Sequence, residues 1–382
     1  MANTLTSLIP TLYAALDQVS RELVGLIPAV TRNMSLERAA LNQSILVPIT
    51  TPGTMADNTP GVNAPDTGDQ TVGNTEIKIT KSKHIPIRWN GEETRGMESS
   101  GMYDTTLQSQ FEQAFRALAN QIESDIYVEA YKGASRAFGT AGTTPFATAA
   151  DLSDVAGVRQ ILDDNGSPQS DLHLVLGSGA MANIRGKQAS LFKVNEAGTA
   201  DLLRRGTIGE LEGFLIGNTG QAAQVTKGTG TGYLVNNVAG YVVGDTAIAL
   251  DTGTGTILAG DVITFAGDTN KYAVATALSG GVVTIAKPGL RATLADNVAL
   301  TVGNNFRANL AFHRSAIQLV ARMPAMPKGG DTADDTITVT DPVSGLSFEI
   351  AVYRQYLQVV YHVRLAWGVK AIKSENIAHI LG

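Results

Sequence analysis

The 382-residue sequence predicts an α+β protein with a small β-barrel inserted into its second half. Three observations carry that class. An extended arm runs straight into one long amphipathic helix; helix and strand patterns then alternate over residues 153–216; and from Gly217–Gly220 to Gly303 the text becomes short Val-, Ile- and Thr-rich runs separated by glycines.

Taken in order, Leu5, Leu8, Leu12, Leu16, Val19, Leu23 and Leu26 recur every three or four residues, so residues 4–27 read as a helical arm with one apolar face, ended by Pro28 and Asn33. Ser44–Thr51 and Thr75–Asn90 read as two strands, the second with Ile77, Ile79, Ile85, Ile87 and Trp89 at period-two positions. Between them lie the 23 residues Pro52–Asn74, with three prolines, four glycines and no lysine or arginine. A two-stranded hairpin is marginal on its own in water, so an arm of this length needs a second surface. Another copy of the chain is the expected one.

Leu107, Phe111, Phe115, Leu118, Ile122 and Ile126 predict a helix over 104–132, with Asp104 as N-cap and Gly133 as its stop. At 1.5 Å per residue it is about 40 Å long, a scaffold rod. Next come Val155–Leu162 (helix), an Asp-Asn-Gly turn at 164–166, Leu172–Leu176 (buried strand), Ala180–Arg185 (helix) and Phe214–Ile216 (strand). Tyr241–Val243, Ile248–Leu250, Asp261–Phe265, Tyr272–Thr276 and Val282–Ile285 have the spacing of a small antiparallel barrel. After it, Asn309–Ala321 reads as one strand, Thr336–Val339, Phe348–Val352 and Tyr356–Trp367 as further strands, and Val369–Ile372 and Ile377–Leu381 as an apolar return onto the body.

Composition narrows the function. With net charge −6 and dispersed basic residues there is no electrostatic footprint for reading nucleic acid. With no cysteine, disulfides, thiolate metal sites and cysteine nucleophiles are excluded. Residues 1–10 lack the pattern of a secretory signal and no window reads as a bilayer span, so no membrane is expected and the chain is expected to be made in the cytoplasm of its producer.

Signals of reactive chemistry are sparse. Gly177-Ser178-Gly179-Ala180-Met181-Ala182 sits between a strand and a helix, as in a dinucleotide turn, with Glu196 downstream; the short helix, broken at Gly186, and the missing further βα units favour a simple tight turn. His84, His173, His313, His362 and His379 are scattered without metal-ligand spacing, and Glu92-Glu93 and Asp163-Asp164 are adjacent pairs unsuited to a shared acid/base role. No enzyme activity, metal or cofactor is expected. Trp89 reads either as a packing anchor or as an anchor in a neighbour's surface. Lys78, Lys81, Lys83 and Arg88 on the second arm strand oppose Asp57, Asp66 and Asp69 in the tip, either as a solvated face or as a sign split that orients the arm on an adjacent copy. These eight residues are the candidate intersubunit contacts.

The order of parts, together with Thr207–Phe214, Gly260–Gly267, Asn309–Arg322 and Arg364-Leu365-Ala366-Trp367-Gly368-Val369 through Ile380, resembles the major capsid proteins of tailed bacteriophages with the HK-ninety-seven-type fold, and within it the P-twenty-two-type coat proteins that carry an insertion domain. The resemblance implies an N-terminal arm (1–43), an extended loop (44–100), a spine helix (101–140), an axial domain in two parts (141–220 and 304–330), a β-barrel insertion (221–303), and a peripheral ribbon with a C-terminal return (331–382). It also implies a shell subunit that packs into pentamers and hexamers, meets a scaffolding protein and a portal, encloses double-stranded DNA without reading it, and is assembled in the host bacterial cytoplasm. Residues 228–259, where such relatives carry a charged loop, are almost uncharged here. A tail-tube or decoration protein and a dinucleotide-dependent oxidoreductase are the alternatives.

Overall fold

The computed structural model describes residues 8–22, 25–49, 55, 57–58, 60, 73–188, 208–342 and 344–382. Its axis is the spine helix Tyr103–Lys132, which buries Leu107, Phe111, Phe115, Leu118, Ile122, Ile126 and Ala130 along one side at the helical repeat. Asp104 lies within the first turn and Lys132 in the last, each at the helix end whose dipole favours its charge. The cap position is Met102, two residues before the Asp104 that the sequence suggests, and it makes no side-chain capping bond. Gly133 closes the helix with its N–H on Glu129 O; a Cβ there would come within 2.4 Å of Ala371 Cβ, so close packing rather than a left-handed turn calls for glycine.

Against the spine lies a six-stranded sheet. Its order is Thr31–Ala39, Ile317–Pro324, Gln358–Ala371, Ser347–Gln355, Asp335–Thr340, and Lys81–Asn90 pairs with the long ribbon strand Gln358–Ala371 as well. Alternation puts Ile87, Trp89, Phe348, Ile350, Tyr361, Val363, Leu365 and Trp367 on the spine side, where Phe115 meets Phe348 at 5.0 Å between ring centres and Phe111 meets Tyr361 at 5.7 Å. Helix Ile9–Glu22 adds Leu12, Leu16 and Val19 to the same core. Thr31–Ala39, which has no apolar alternation to announce it, forms a parallel edge strand on Ile317–Pro324.

The second body is built on Leu172–Gly177, all six residues buried, parallel to Phe214–Thr219 and antiparallel to Phe306–His313. Ile377–Leu381 and Arg136–Phe138 extend this sheet, and helices Ser153–Asp164 and Ser178–Lys187 cover it. The expectation of one strand over Asn309–Ala321 is incorrect. His313 Nδ1 accepts the Ser315 N–H at 3.2 Å, a 3-10 turn over Arg314–Ala316 breaks the strand, and Ile317–Pro324 continues in the other sheet. Apolar alternation runs through the break, so period alone hides it. The chain therefore passes between sheets at residues 314–316, ahead of the boundary at 330 that the resemblance implies.

Residues 233–302 close a barrel. Leu234–Val235, Ala247–Asp251, Val282–Ile285, Lys271–Ser279, Val262–Phe265 and Leu300–Val302 pair in that order, and the Leu234–Ala299 bridge returns to the first strand. Ile248, Ile263, Tyr272, Val274, Val283 and Leu290 fill it. The expected strand Tyr241–Val243 makes only the Tyr241–Leu294 bridge and leaves Val242 and Val243 exposed. Lys271 and Tyr272 pair with Ala137 and Arg136, fastening barrel to sheet.

Candidate assembly surface

The arm starts as expected: Ser44–Ile49 and Gly73–Lys78 form an antiparallel hairpin, Ser44 opposite Lys78 and Ile49 opposite Gly73. Its root is pinned to the sheet face opposite the spine. Ile77 and Ile79 are fully buried there with Ala39, Val320 and Ala366, and the arm backbone crosses the ribbon so tightly that a Cβ on Gly368 would sit 2.0 Å from Lys78 O. Backbone bonds Asn42 N–H to Ile79 O (2.9 Å), Ile79 N–H to Gln43 O (3.0 Å) and Thr80 N–H to Trp367 O (3.1 Å) complete the junction. Along the hairpin, Ile45 and Val47 still pack against this cluster while Leu46 faces out, 63% exposed, and Met55 is 97% exposed.

The arm is shorter than the sequence reading has it. Lys81–Asn90 does not project; it pairs along ten residues with the ribbon, Lys81 opposite Trp367 and Asn90 opposite Gln358. The break falls at Ile79–Thr80, and because the isoleucines resume in the same phase at Ile85 and Ile87 after Lys81 and Lys83, one apparent strand is two with different partners. Trp89, offered as a neighbour's anchor, is instead a packing residue of its own subunit: it is buried against the spine, donates its indole N–H to Gln110 Oε1 at 2.8 Å and meets Tyr103 edge-on at 5.4 Å. Lys81 likewise turns inward, with Nζ 2.5 Å from Asp125 Oδ1 on the spine.

The remaining candidates face outward. Lys78, Lys83 and Arg88 are exposed, Lys78 with only a 4.0 Å contact to Glu76, and Asp57 is exposed. Asp66 and Asp69 lie outside the described residues, as does Glu196. Of the eight, the structure thus gathers Lys81 and Trp89 into the body and leaves four on the surface.

The sequence gives no hint of a charge cluster on the same outer sheet face. Glu349, 1% exposed, is held by both guanidiniums, Arg38 from the first strand and Arg364 Nε at 2.7 Å from the ribbon. Arg364 Nη1 also donates to Asp331 Oδ2 at 2.9 Å, and these contacts with Tyr353 hold the Asp331 carboxyl below its usual range. Buried pairs of this kind fix register more than they stabilise. The strand alternation in 347–355 and 358–371 is a usable signal only once the strands are known to be neighbours.

The glycine turn holds no ligand cradle. Gly177 N–H donates to the buried Asn309 Oδ1 at 2.9 Å, a Cβ there would touch Ala222 Cβ at 3.2 Å, and one on Gly179 would touch Thr144 Cγ2 at 3.5 Å. Close packing on Ala222 at Gly177 is what this turn visibly requires of its glycine. No grouping of three or more metal-ligating side chains occurs among the described residues.

No family model and no curated protein matches the chain in sequence. In structure it is similar to the capsid of the cyanophage P-SCSP1u, at TM-score 0.50 and 11% identity over 92% of this chain and 86% of that one. It is also similar to the mature capsid of bacteriophage PhiM1 (TM-score 0.44, 9% identity, 93% and 85% covered) and to a virus-like particle from Pyrococcus furiosus (TM-score 0.40, 11% identity, 97% of each chain). The match to the cyanophage capsid covers about nine-tenths of the chain, and this protein has the phage major capsid fold that its sequence resembles.

Proposed function

We propose that the chain is a major capsid protein that self-assembles into the icosahedral shell enclosing the double-stranded DNA of a tailed phage. The observation that carries this is a phage capsid fold matched over 92% of the chain, with an arm whose root is pinned to its own sheet and whose described residues Leu46 and Met55 are apolar and exposed. Such a subunit makes heterologous contacts that close into pentamers and hexamers, each weak and repeated many times. Lys78, Lys83, Arg88 and Asp57, all on the surface, set the orientation of those contacts.

In this reading the role is structural, without catalysis. Its partners are other copies, a scaffolding protein during assembly, a portal and the packaged DNA, which is met without sequence readout. Assembly takes place in the host bacterial cytoplasm and the product is the virion capsid. Electron microscopy of the purified, overexpressed chain tests the proposal: closed particles of uniform diameter are expected, and small monodisperse oligomers persisting at high concentration contradict it.

A further inference from the structure

On the outer face of the six-stranded sheet, His84 of Lys81–Asn90, the root strand that follows the arm, and His362 of the ribbon stack with ring centres 4.7 Å apart and planes 27° from parallel. They are diagonal neighbours, since His84 opposes Arg364 and His362 opposes Pro86. Tyr353, on the next strand, meets His362 edge-on at 5.1 Å. The root strand leads within a few residues into the arm, so this stack sits where the arm joins the body.

The charges around the stack are already committed. From the ribbon comes Arg364; from the adjoining strand come Glu349, Tyr353 and Arg354; from the 325–334 segment come Asp331 and Asp334; and from the first strand comes Arg38. Asp331 takes Arg364 and the Tyr353 hydroxyl, Glu349 takes Arg38 and Arg364, and Asp334 lies 3.5 Å from Arg354. On the root strand itself, His84 is flanked by Lys83 and shares its face with Arg88. Among the described residues each of these three acids is thus engaged by an arginine, and Asp331, which favours a charged His362, is shared with Arg364 and Tyr353.

We propose that the His84–His362 stack is a pH-sensitive fastening of the root strand to the ribbon, closed while both rings are neutral and opened when acid charges them. Two imidazoliums at this spacing, beside Arg364, repel one another, and the stack that spans the strands is lost. Opening loosens the first residues of the root strand and with them the seat of the arm. The direction of titration agrees: burial first, then His84 and Arg364, lower the His362 pKa, and Asp331 offsets them only in part. A base depressed in the fold supports stability above the free imidazole value near 6.5 and withdraws that support as pH falls below it.

The test uses the full-length chain kept dispersed at low concentration, so it is independent of whether shells form. Hydrogen exchange is measured at pH 7.5 and 5.5, corrected for intrinsic rate, with the histidine-free barrel strand Val282–Ile285 as internal reference. Protection of residues 81–90 should fall about tenfold more than the reference on acidification. In His84→Gln, and in His84→Gln with His362→Gln, that difference should shrink to within about twofold. Equal acid-induced loss in the double variant, or none in the wild type, overturns the proposal. Should the double variant misfold, the exposed single change His84→Gln decides in the same way. Imidazole titration of His362 by NMR supplies the second measurement: its midpoint should move to higher pH in His84→Gln, and an unmoved midpoint overturns the proposal.

Discussion

Asp125 of the spine helix accepts the indole N–H of Trp367 at 2.8 Å while its other carboxylate oxygen takes Lys81 Nζ at 2.5 Å. One side chain thus ties the spine to the ribbon and to the start of the root strand, next to the point where the arm departs. Trp367 is fully buried, so removing its acceptor strands a buried donor. Asp125→Ala should cost about 2–3 kcal/mol in chemical denaturation, whereas Lys81→Ala, at a half-exposed ion pair, should cost under about 1 kcal/mol.

Trp89 supports its own subunit. Trp89→Ala empties a site lined by Tyr103 and Gln110 and should destabilise the isolated chain by about 3–5 kcal/mol. Thermal unfolding of dispersed protein checks this. A variant of wild-type stability that merely fails to assemble would return Trp89 to the role of a neighbour's anchor.

Glu123 and Gly25 form a matched pair in the N-terminal arm. The buried Glu123 Oε1 accepts Leu26 N–H at 3.0 Å, and a Cβ on Gly25 would fall 1.8 Å from that same oxygen and 2.9 Å from Asn218 O. Gly25→Ala should detach the segment around residue 25 from the spine, raising protease cleavage between residues 8 and 30 well before the remainder is attacked. Unchanged digestion would show that the segment is held by other contacts.

His379 makes stability fall in acid. It is fully buried against Phe306, neither ring nitrogen has a hydrogen-bond partner, and burial lowers its pKa to about 4. The unfolded chain binds this proton near pH 6.5 and the folded chain does not, so stability is complete above 6.5 and declines towards 4, by about 3 kcal/mol from this group. His379→Phe should flatten the stability profile over that interval, read from urea midpoints at stepped pH.

Much of the fold is legible in the sequence because period and burial agree there. The spine is the clearest case: its apolar residues at helical spacing are the ones buried, and the observed Tyr103–Lys132 differs from the expectation by one residue. Leu172–Gly177 and Val282–Ile285 are legible for the same reason. The failures occur where alternation crosses a change of partner. Ile77, Ile79, Ile85 and Ile87 form one pattern yet belong to two sheets, and Asn309–Ala321 hides a turn whose only local device is His313 on Ser315. Of the candidate contacts, exposure of Lys78 and Arg88 follows from the strand period, whereas Lys83 is exposed although in phase with Ile85 and Ile87, and the inward turn of Lys81 depends on Asp125, 44 residues away. The His84–His362 stack is invisible before the register is known.

The most direct test of the central claim is to remove the outer arm while sparing its root. Deleting residues 53–72 leaves Ile49 and Gly73 to close a shorter hairpin over the Ile77 and Ile79 contact. Sedimentation velocity of this variant should show a folded, soluble subunit that never builds closed particles under conditions where the full chain does. Shells of normal size and yield from the shortened chain would contradict the account.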